Sequence, residues 1–153
     1  MISSKSSHAD GRNIVPSVHL QDIENCIAAI ETQVARGAAP HIRAEFLAAL
    51  ATKGWSGEVS ISPQESAVTV TSRKHATGLC LQTGGNASRI YADLLKLQAL
   101  YLNDDITCGI FVLPSAPAAK VLGDNLAQGD RLVRELNIFR KVITIPLMIC
   151  SFE

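Results

Sequence analysis

The chain has 153 residues, a length that corresponds to one domain of ordinary size. Hydrophobic residues make up 47% of it and charged residues 18%, which is enough apolar material for a packed core and argues against disorder. The 14 Lys and Arg residues balance the 14 Asp and Glu residues, so a broadly polybasic DNA binder is excluded, although a local basic patch is not.

Residues 1–13 are mostly polar and contain no apolar segment of the kind found in secretory signals. We interpret them as a flexible N-terminal tail and residues 14–153 as a single domain. No apolar run reaches the roughly 18–20 residues that a membrane span needs. The sequence therefore predicts a cytoplasmic protein with no membrane partner.

Helices and strands are predicted in a mixed order. Apolar spacing of three and four residues predicts a first helix over residues 18–36, and Pro40 begins a second one that continues to about residue 52. Alternating residues then predict antiparallel strands over residues 58–62, 67–71 and 78–83, with a turn over residues 73–77. A helix follows Asn86, and further strands are predicted over residues 106–113 and 142–150, with helical segments between them.

This order predicts an α/β fold with a central mixed β-sheet of about five strands flanked by helices. Four residues should be buried in the sheet: Leu81, Ile110, Val112 and Ile145. The four cysteines and four histidines are scattered along the chain without the short spacings of a zinc site, so no metal ligand set is predicted from them.

The segment Leu79 to Tyr101 is the most informative. Cys80 and Gln82 are two residues apart on a strand and therefore share one face. The Gly84-Gly85 pair permits a tight turn, and the helix that follows begins beside it. A strand end, a glycine turn and a helix N-terminus together can receive a phosphate. The known nucleotide-binding glycine motifs are absent.

This segment resembles the core of the BglII/BstYI-type restriction endonucleases, which have the PD-(D/E)xK nuclease fold. That family has acid-x-Gln on a strand, then a glycine-rich turn, a helix of the type Tyr-x-Asp-Leu-x-Lys-x-Gln and an apolar strand ending in Pro. The chain has Gln82, Gly84-Gly85, the helix segment from Tyr91 to Gln98 and the strand ending at Pro114. The resemblance covers about residues 53–152 and implies a restriction-endonuclease-like fold that acts on or binds duplex DNA.

The chain departs from the family at the catalytic acids. Cys80 stands at the acid two residues before Gln82, and Thr71 at the aspartate about nine residues earlier. Family enzymes use Mg²⁺, which is held by protein carboxylates. We therefore expect impaired cleavage and no certain cofactor, with Mg²⁺ required if the protein is active. The alternative is an active enzyme in which another acid has taken over, with Glu45, Glu58 and Asp93 as candidates. The other interpretation is that Glu45 and Asp93 are solvated or paired helix residues and Glu58 is a charge at a strand edge.

Contact with duplex DNA does not require cleavage. Arg73 and Lys74 lie in the predicted basic turn, while Asn86 and Arg89 lie where the next helix begins. Such side chains can contact phosphates and position a protein on DNA. The alternative partners are a second copy of the chain in a homodimer, or another protein bound by a non-catalytic subunit.

Overall fold

The computed structural model describes all residues from Met1 to Glu153. It contains seven strands and six helices in a single order along the chain. These are β1 (Ile2–His8), α1 (Gly11–Ile14), α2 (Ser17–Ala28), α3 (Ala39–Ala51), β2 (Val59–Ser60), β3 (Thr69–Val70), β4 (Ser72–Lys74), β5 (Thr77–Leu81), α4 (Arg89–Leu102), β6 (Cys108–Pro114), α5 (Ala116–Leu122), α6 (Gly129–Ile138) and β7 (Leu147–Phe152).

Five of the strands form a mixed sheet in the order β1-β7-β6-β5-β4. The central strands β5, β6 and β7 are parallel, and the two edge strands are antiparallel to their neighbours. Strands β2 and β3 form a separate two-stranded sheet. The predicted mixed sheet of about five strands flanked by helices is confirmed.

Each face of the sheet is covered by helices. Leu79 and Leu81 of β5 pack in a core with α2 and α3, whereas Cys80 between them packs in a second core with α4 and α6. Successive side chains of a strand point to opposite faces, which is why both cores meet at β5. The four residues predicted to be buried are all buried: Leu81, Ile110, Val112 and Ile145.

The prediction that residues 1–13 form a flexible tail is wrong. Ile2–His8 forms β1, which pairs with β7 from Ile2 opposite Phe152 to His8 opposite Leu147, and Gly11–Ile14 forms the short α1. This edge strand is held by a ladder of backbone hydrogen bonds, which does not require apolar side chains. Because Ile2 is its only apolar residue, the segment lacks the alternation that indicates a strand.

The first long helix, α2, ends at Ala28 and does not continue to residue 36. The Glu45 carboxylate of α3 accepts hydrogen bonds from the backbone nitrogens of Glu31 (2.8 Å) and Thr32 (3.0 Å), so these donors are satisfied outside a helix. Ile30 and Val34 still pack against the core. Their partial burial against this core accounts for helix-like spacing of apolar residues in a segment that is not helical.

The region before β5 also differs from prediction. Ser72–Lys74, placed partly in a turn, forms the edge strand β4, and the turn is made by His75, whose φ is 49°. The two strands predicted before it pair with each other and not with the central sheet, with Val59 opposite Val70. None of the six helices combines the length and apolar character that a bilayer crossing requires.

Candidate functional site

A cleft of about 880 Å³ opens at the carboxyl end of β5, between the beginning of α3 and one side of α4. Residues of β3 and the loop after β5 complete its walls. The lining is largely polar, and its charged members are Arg43, Glu58, Arg89, Asp93 and Lys96. The cleft therefore combines three cations with two acids.

Gln82 lines this cleft directly after β5, where its backbone nitrogen donates a 2.9 Å hydrogen bond to Val112 O. Its side-chain Nε2 donates to Asp93 Oδ2. A carboxylate only accepts hydrogen bonds, so the amide nitrogen must face Asp93 and the carbonyl oxygen Oε1 must face away. No protein group donates a hydrogen bond to Oε1. Gln82 therefore offers the cleft an acceptor.

Glycine is required at both positions of the pair after β5, because neighbouring atoms lie too close for a Cβ. A Cβ on Gly84 would lie 2.9 Å from the Ala39 Cβ at the beginning of α3. A Cβ on Gly85 would overlap Gln82 Oε1 and the Arg89 side chain. The two glycines therefore allow the α3 and α4 walls to come close to Gln82.

Thr71 and Cys80 stand where the resemblance places carboxylates. Thr71 lines the cleft, and its Oγ1 accepts a 3.0 Å hydrogen bond from Leu81 N. Cys80 is 1% exposed and belongs to the core beside α4. Burial, followed by the negative charge of Asp93, raises the pKa of the Cys80 thiol well above its usual value of 9.0. At neutral pH this thiol is protonated, so it supplies no negative charge to the cleft and is a poor nucleophile.

Two of the three acids considered as replacements occupy different places. Glu58 lines the cleft and is exposed. Glu45 does not line it, because its carboxylate is bound by Thr32 Oγ1 and by the backbone N–H groups of Glu31 and Thr32. These hydrogen bonds, those from Thr32 foremost, lower the pKa of Glu45. Glu45 holds the segment after α2 in position.

Asp93 is buried at the wall of the cleft and is only 6% exposed. Its Oδ2 accepts from Gln82, and its Oδ1 lies 2.8 Å from Lys96 Nζ. Asp93 and Lys96 are three residues apart on α4, which places them on one side of the helix. The interpretation of Asp93 as a paired residue is correct, and its partners are Lys96 and Gln82, both of which line the cleft.

Three cations approach the cleft from two helices. Arg43 of α3 donates through Nη1 to Leu81 O at 3.0 Å, and Arg89 and Lys96 lie in the first two turns of α4. Arg89 is exposed, whereas Arg43 and Lys96 are half-buried. The sequence indicates Arg89 but not Arg43 as a residue of the site, because no local motif shows that α3 packs beside the end of β5.

A family model described as restriction endonuclease BglII/BglIII matches residues 4–152. The chain belongs to this family. No curated protein matches the chain.

Solved structures of restriction endonuclease BglII have the same fold. The crystal structure of BglII complexed with a DNA 16-mer is 13% identical, with a TM-score of 0.79 over 99% of this chain and 76% of that chain. The crystal structure of free BglII is 14% identical, with a TM-score of 0.67 over 100% of this chain and 79% of that chain. The resemblance to BglII-type endonucleases and the restriction-endonuclease-like fold are both confirmed.

The cations and the amide proposed for DNA contact are not gathered in one place. Lys74 pairs with Thr77 at the beginning of β5, while Gln82 follows the end of the same strand. Lys74 Nζ binds Asp22 at 2.7 Å, and Arg73 Nε donates to His75 O. Arg73 and Lys74, predicted from the sequence as DNA contacts, therefore lie away from the cleft. Asn86 is exposed and does not line the cleft either.

The residues present do not fit the Mg²⁺ site that this family implies. A Mg²⁺ ion is typically held through one or two carboxylates with waters completing an octahedron. Thr71 and protonated Cys80 supply no charge, and Asp93 is occupied by Lys96 and Gln82. No group of three or more His, Cys, Asp or Glu side chains is arranged to hold a metal ion. Glu58 is the remaining carboxylate of the cleft.

Proposed function

We propose that this protein binds duplex DNA through the cleft at the end of β5 and that it cleaves DNA slowly or not at all in the presence of Mg²⁺. The observation that carries the proposal is the charge of the cleft wall. Arg43 and Arg89 line the cavity without a carboxylate partner and Lys96 lines it paired with Asp93, whereas the family's two acid positions hold Thr71 and a buried, protonated Cys80.

Binding to DNA is supported by the chemistry of these cations. Arg and Lys side chains contact phosphate oxygens and release condensed counterions, which supplies much of the affinity of proteins for DNA. The BglII structure with the higher TM-score contains a DNA 16-mer. A chain with zero formal net charge can still bind in this way, because three of its 14 Lys and Arg residues line one cleft.

Weak cleavage is supported by the poor set of metal ligands. A Mg²⁺ ion is dehydrated reluctantly, and a hydroxyl with a single exposed carboxylate, Glu58, competes poorly with water for it. Without a held ion, neither a metal-activated water nor stabilisation of the leaving oxygen is available. The retained Gln82 can orient a water or a ligand group, but it carries no charge.

The proposal is tested by paired binding and cutting assays on the same purified protein. We expect a labelled duplex to bind in chelator with an affinity that falls as salt is added, and supercoiled plasmid to remain uncut with Mg²⁺ or Mn²⁺. Absence of duplex binding at low salt would reject the binding function. Rapid Mg²⁺-dependent cutting that Glu58→Ala abolishes, and Glu65→Ala on an exposed loop does not, would show instead that Glu58 had replaced the missing acids.

A second candidate function, self-association, is favoured by exposed apolar residues on α4 and after α6. Leu95 and Leu102 of α4 are 59% and 67% exposed. Phe139 packs edge-on against Tyr91, one turn before Leu95, which brings the end of α6 to this surface. Exposed apolar clusters mark interaction sites in soluble proteins.

A second copy of the chain is the partner proposed for this surface. Sedimentation velocity should show a dimer that Leu95→Asp dissociates, while Val18→Asp, at an exposed position of α2, leaves it intact. A monomer at every concentration would reject this assembly.

A further inference from the structure

The Asp93 carboxylate accepts hydrogen bonds from two donors, Lys96 and Gln82, that line the cleft. Lys96 Nζ lies 2.8 Å from Oδ1, and Gln82 Nε2 donates to Oδ2. The Asp93 side chain is 8% exposed and that of Lys96 is 25% exposed, so the pair is only partly screened by water. Two oxygens of one anion thus receive one charged and one neutral donor, which is also how a phosphate group is held.

We propose that Asp93 is a built-in counter-anion of the cleft, one that takes the place of a phosphate oxygen on Lys96 and Gln82 and thereby limits the affinity of the cleft for DNA. This inference rests on the proposed DNA-binding function and deepens it. In the free protein Arg43 and Arg89 are then the effective positive charges of the cleft, and the Asp93–Lys96 pair behaves as a neutral unit.

The orientation of the Gln82 amide follows from the same contact. With Nε2 held by Asp93, Oε1 is directed toward Gly85 and has no donor within the protein. An amide oxygen repels a phosphate oxygen and accepts from water or a hydroxyl. A phosphate therefore binds on the arginine side of the cleft, and Gln82 contacts it only through a water or after Asp93 has released the amide nitrogen.

Four proteins test the counter-anion role: the wild type, Asp93→Asn, Lys96→Met and the double variant. Affinity for a labelled 16-base-pair duplex is measured by fluorescence anisotropy over a salt series. Asp93→Asn should bind about three- to fivefold more tightly than the wild type, because one negative charge is removed beside the cations. Its salt dependence should steepen by about one counterion as Lys96 becomes available to phosphate.

The double variant removes a neutral pair and should match the wild type within about twofold, while Lys96→Met alone should bind less tightly. Unchanged or weaker binding by folded Asp93→Asn would overturn the proposal. If Asp93→Asn does not fold, the double variant decides the question, since a loss of about tenfold or more would mean that Lys96 contacts DNA as a full charge in the wild type.

A separate readout is independent of DNA. The side-chain amide resonance of Gln82 is followed by NMR as inorganic phosphate is added. It should remain in place in the wild type and shift in Asp93→Asn, where the amide nitrogen can turn to the cleft. The same response in both proteins would overturn the counter-anion role, whereas failure of duplex binding alone, with this difference retained, would reject only the proposed function.

Discussion

Arg43 Nη1 donates a 3.0 Å hydrogen bond to Leu81 O and so joins α3 to the last residue of β5. The bond uses one of the five N–H donors of the guanidinium group, so several others remain for a ligand in the cleft. Arg43 is therefore both fixed in position and able to bind phosphate.

Replacement of Arg43 should lower the affinity for duplex DNA by more than the loss of its packing contacts explains. We expect Arg43→Met to lower duplex affinity by about tenfold, the effect of losing one charge-assisted phosphate contact. Arg43→Lys should recover only part of the loss, because lysine lacks the planar fork. Arg36→Met is the control, since Arg36 is exposed and pairs with Asp124 outside the cleft. Equal effects of the two Met variants would contradict the assignment.

Charge reversal should separate the two groups of cations predicted from the sequence. Arg89→Glu places a negative charge in the cleft and should reduce both duplex affinity and the slope of affinity against salt. Arg73→Glu introduces the same charge at the other end of β5 and should alter both much less. Anisotropy titrations at several salt concentrations provide the measurement. A larger effect of Arg73→Glu would show that DNA binds at β4 and not at the cleft.

Restoring carboxylates should create a metal site at the cost of stability. The double variant Cys80→Glu with Thr71→Asp should unfold about 2–4 kcal/mol more easily than the wild type in chelator, because it adds an acid to the core beside α4 and a second one close to it. Mn²⁺ or Mg²⁺ should restore stability by binding the folded state. Calorimetry should detect ion uptake by this variant but not by Cys80→Gln with Thr71→Asn. Equal uptake by both would show that the added charges do not form a site.

The cluster around His19 should make stability depend on pH. His19 is buried, its Nδ1 lies 2.8 Å from Thr77 Oγ1, and its ring stacks on His75. Burial, followed by the charges of Lys74 and His75, lowers the pKa of His19 from its usual value of 6.5. Above pH 6.5 the His19 ring is mostly neutral in both the folded and the unfolded chain. As the pH is lowered below 6.5, the unfolded chain takes up the proton at a higher pH than the folded chain does. Protonation therefore favours unfolding at low pH.

Denaturant unfolding at pH 7, 6 and 5 measures this effect. The free energy of unfolding of the wild type should decrease as the pH is lowered from 7 to 5. The decrease should be smaller in His19→Gln. His41→Gln is the control, because His41 is exposed on α3. An identical pH dependence in the wild type and His19→Gln would remove His19 as the cause.

The parts of the fold that sequence analysis predicted are those with a local physical signal. The spacing of Cys80 and Gln82 indicated that they share one face, and the structure places Cys80 in the core beside α4 and Gln82 against Asp93 of the same helix. The Tyr-x-Asp-Leu-x-Lys-x-Gln pattern indicated the family and contained Asp93 and Lys96. It did not indicate that these two residues contact each other and Gln82, because that contact depends on how α4 is set against β5.

The parts that were missed depend on contacts between distant segments. Strand β1 is held by β7, Arg43 is placed by the packing of α3, and Ile30 and Val34 are partly buried against a core without being helical. None of these has a pattern within a few residues that would distinguish it. In each of the three, contacts with residues distant in the sequence determine the local structure.

The pairing of β1 with β7 has a consequence for folding during synthesis. Ile2 lies opposite Phe152, so β1 can join the sheet only after β7, far later in the chain, has been synthesised. Contacts between such distant segments are slow to form, because a long loop has to close. During this wait β1 exposes a short polar strand with Ser at four of its seven positions, a composition that resists association with other nascent chains.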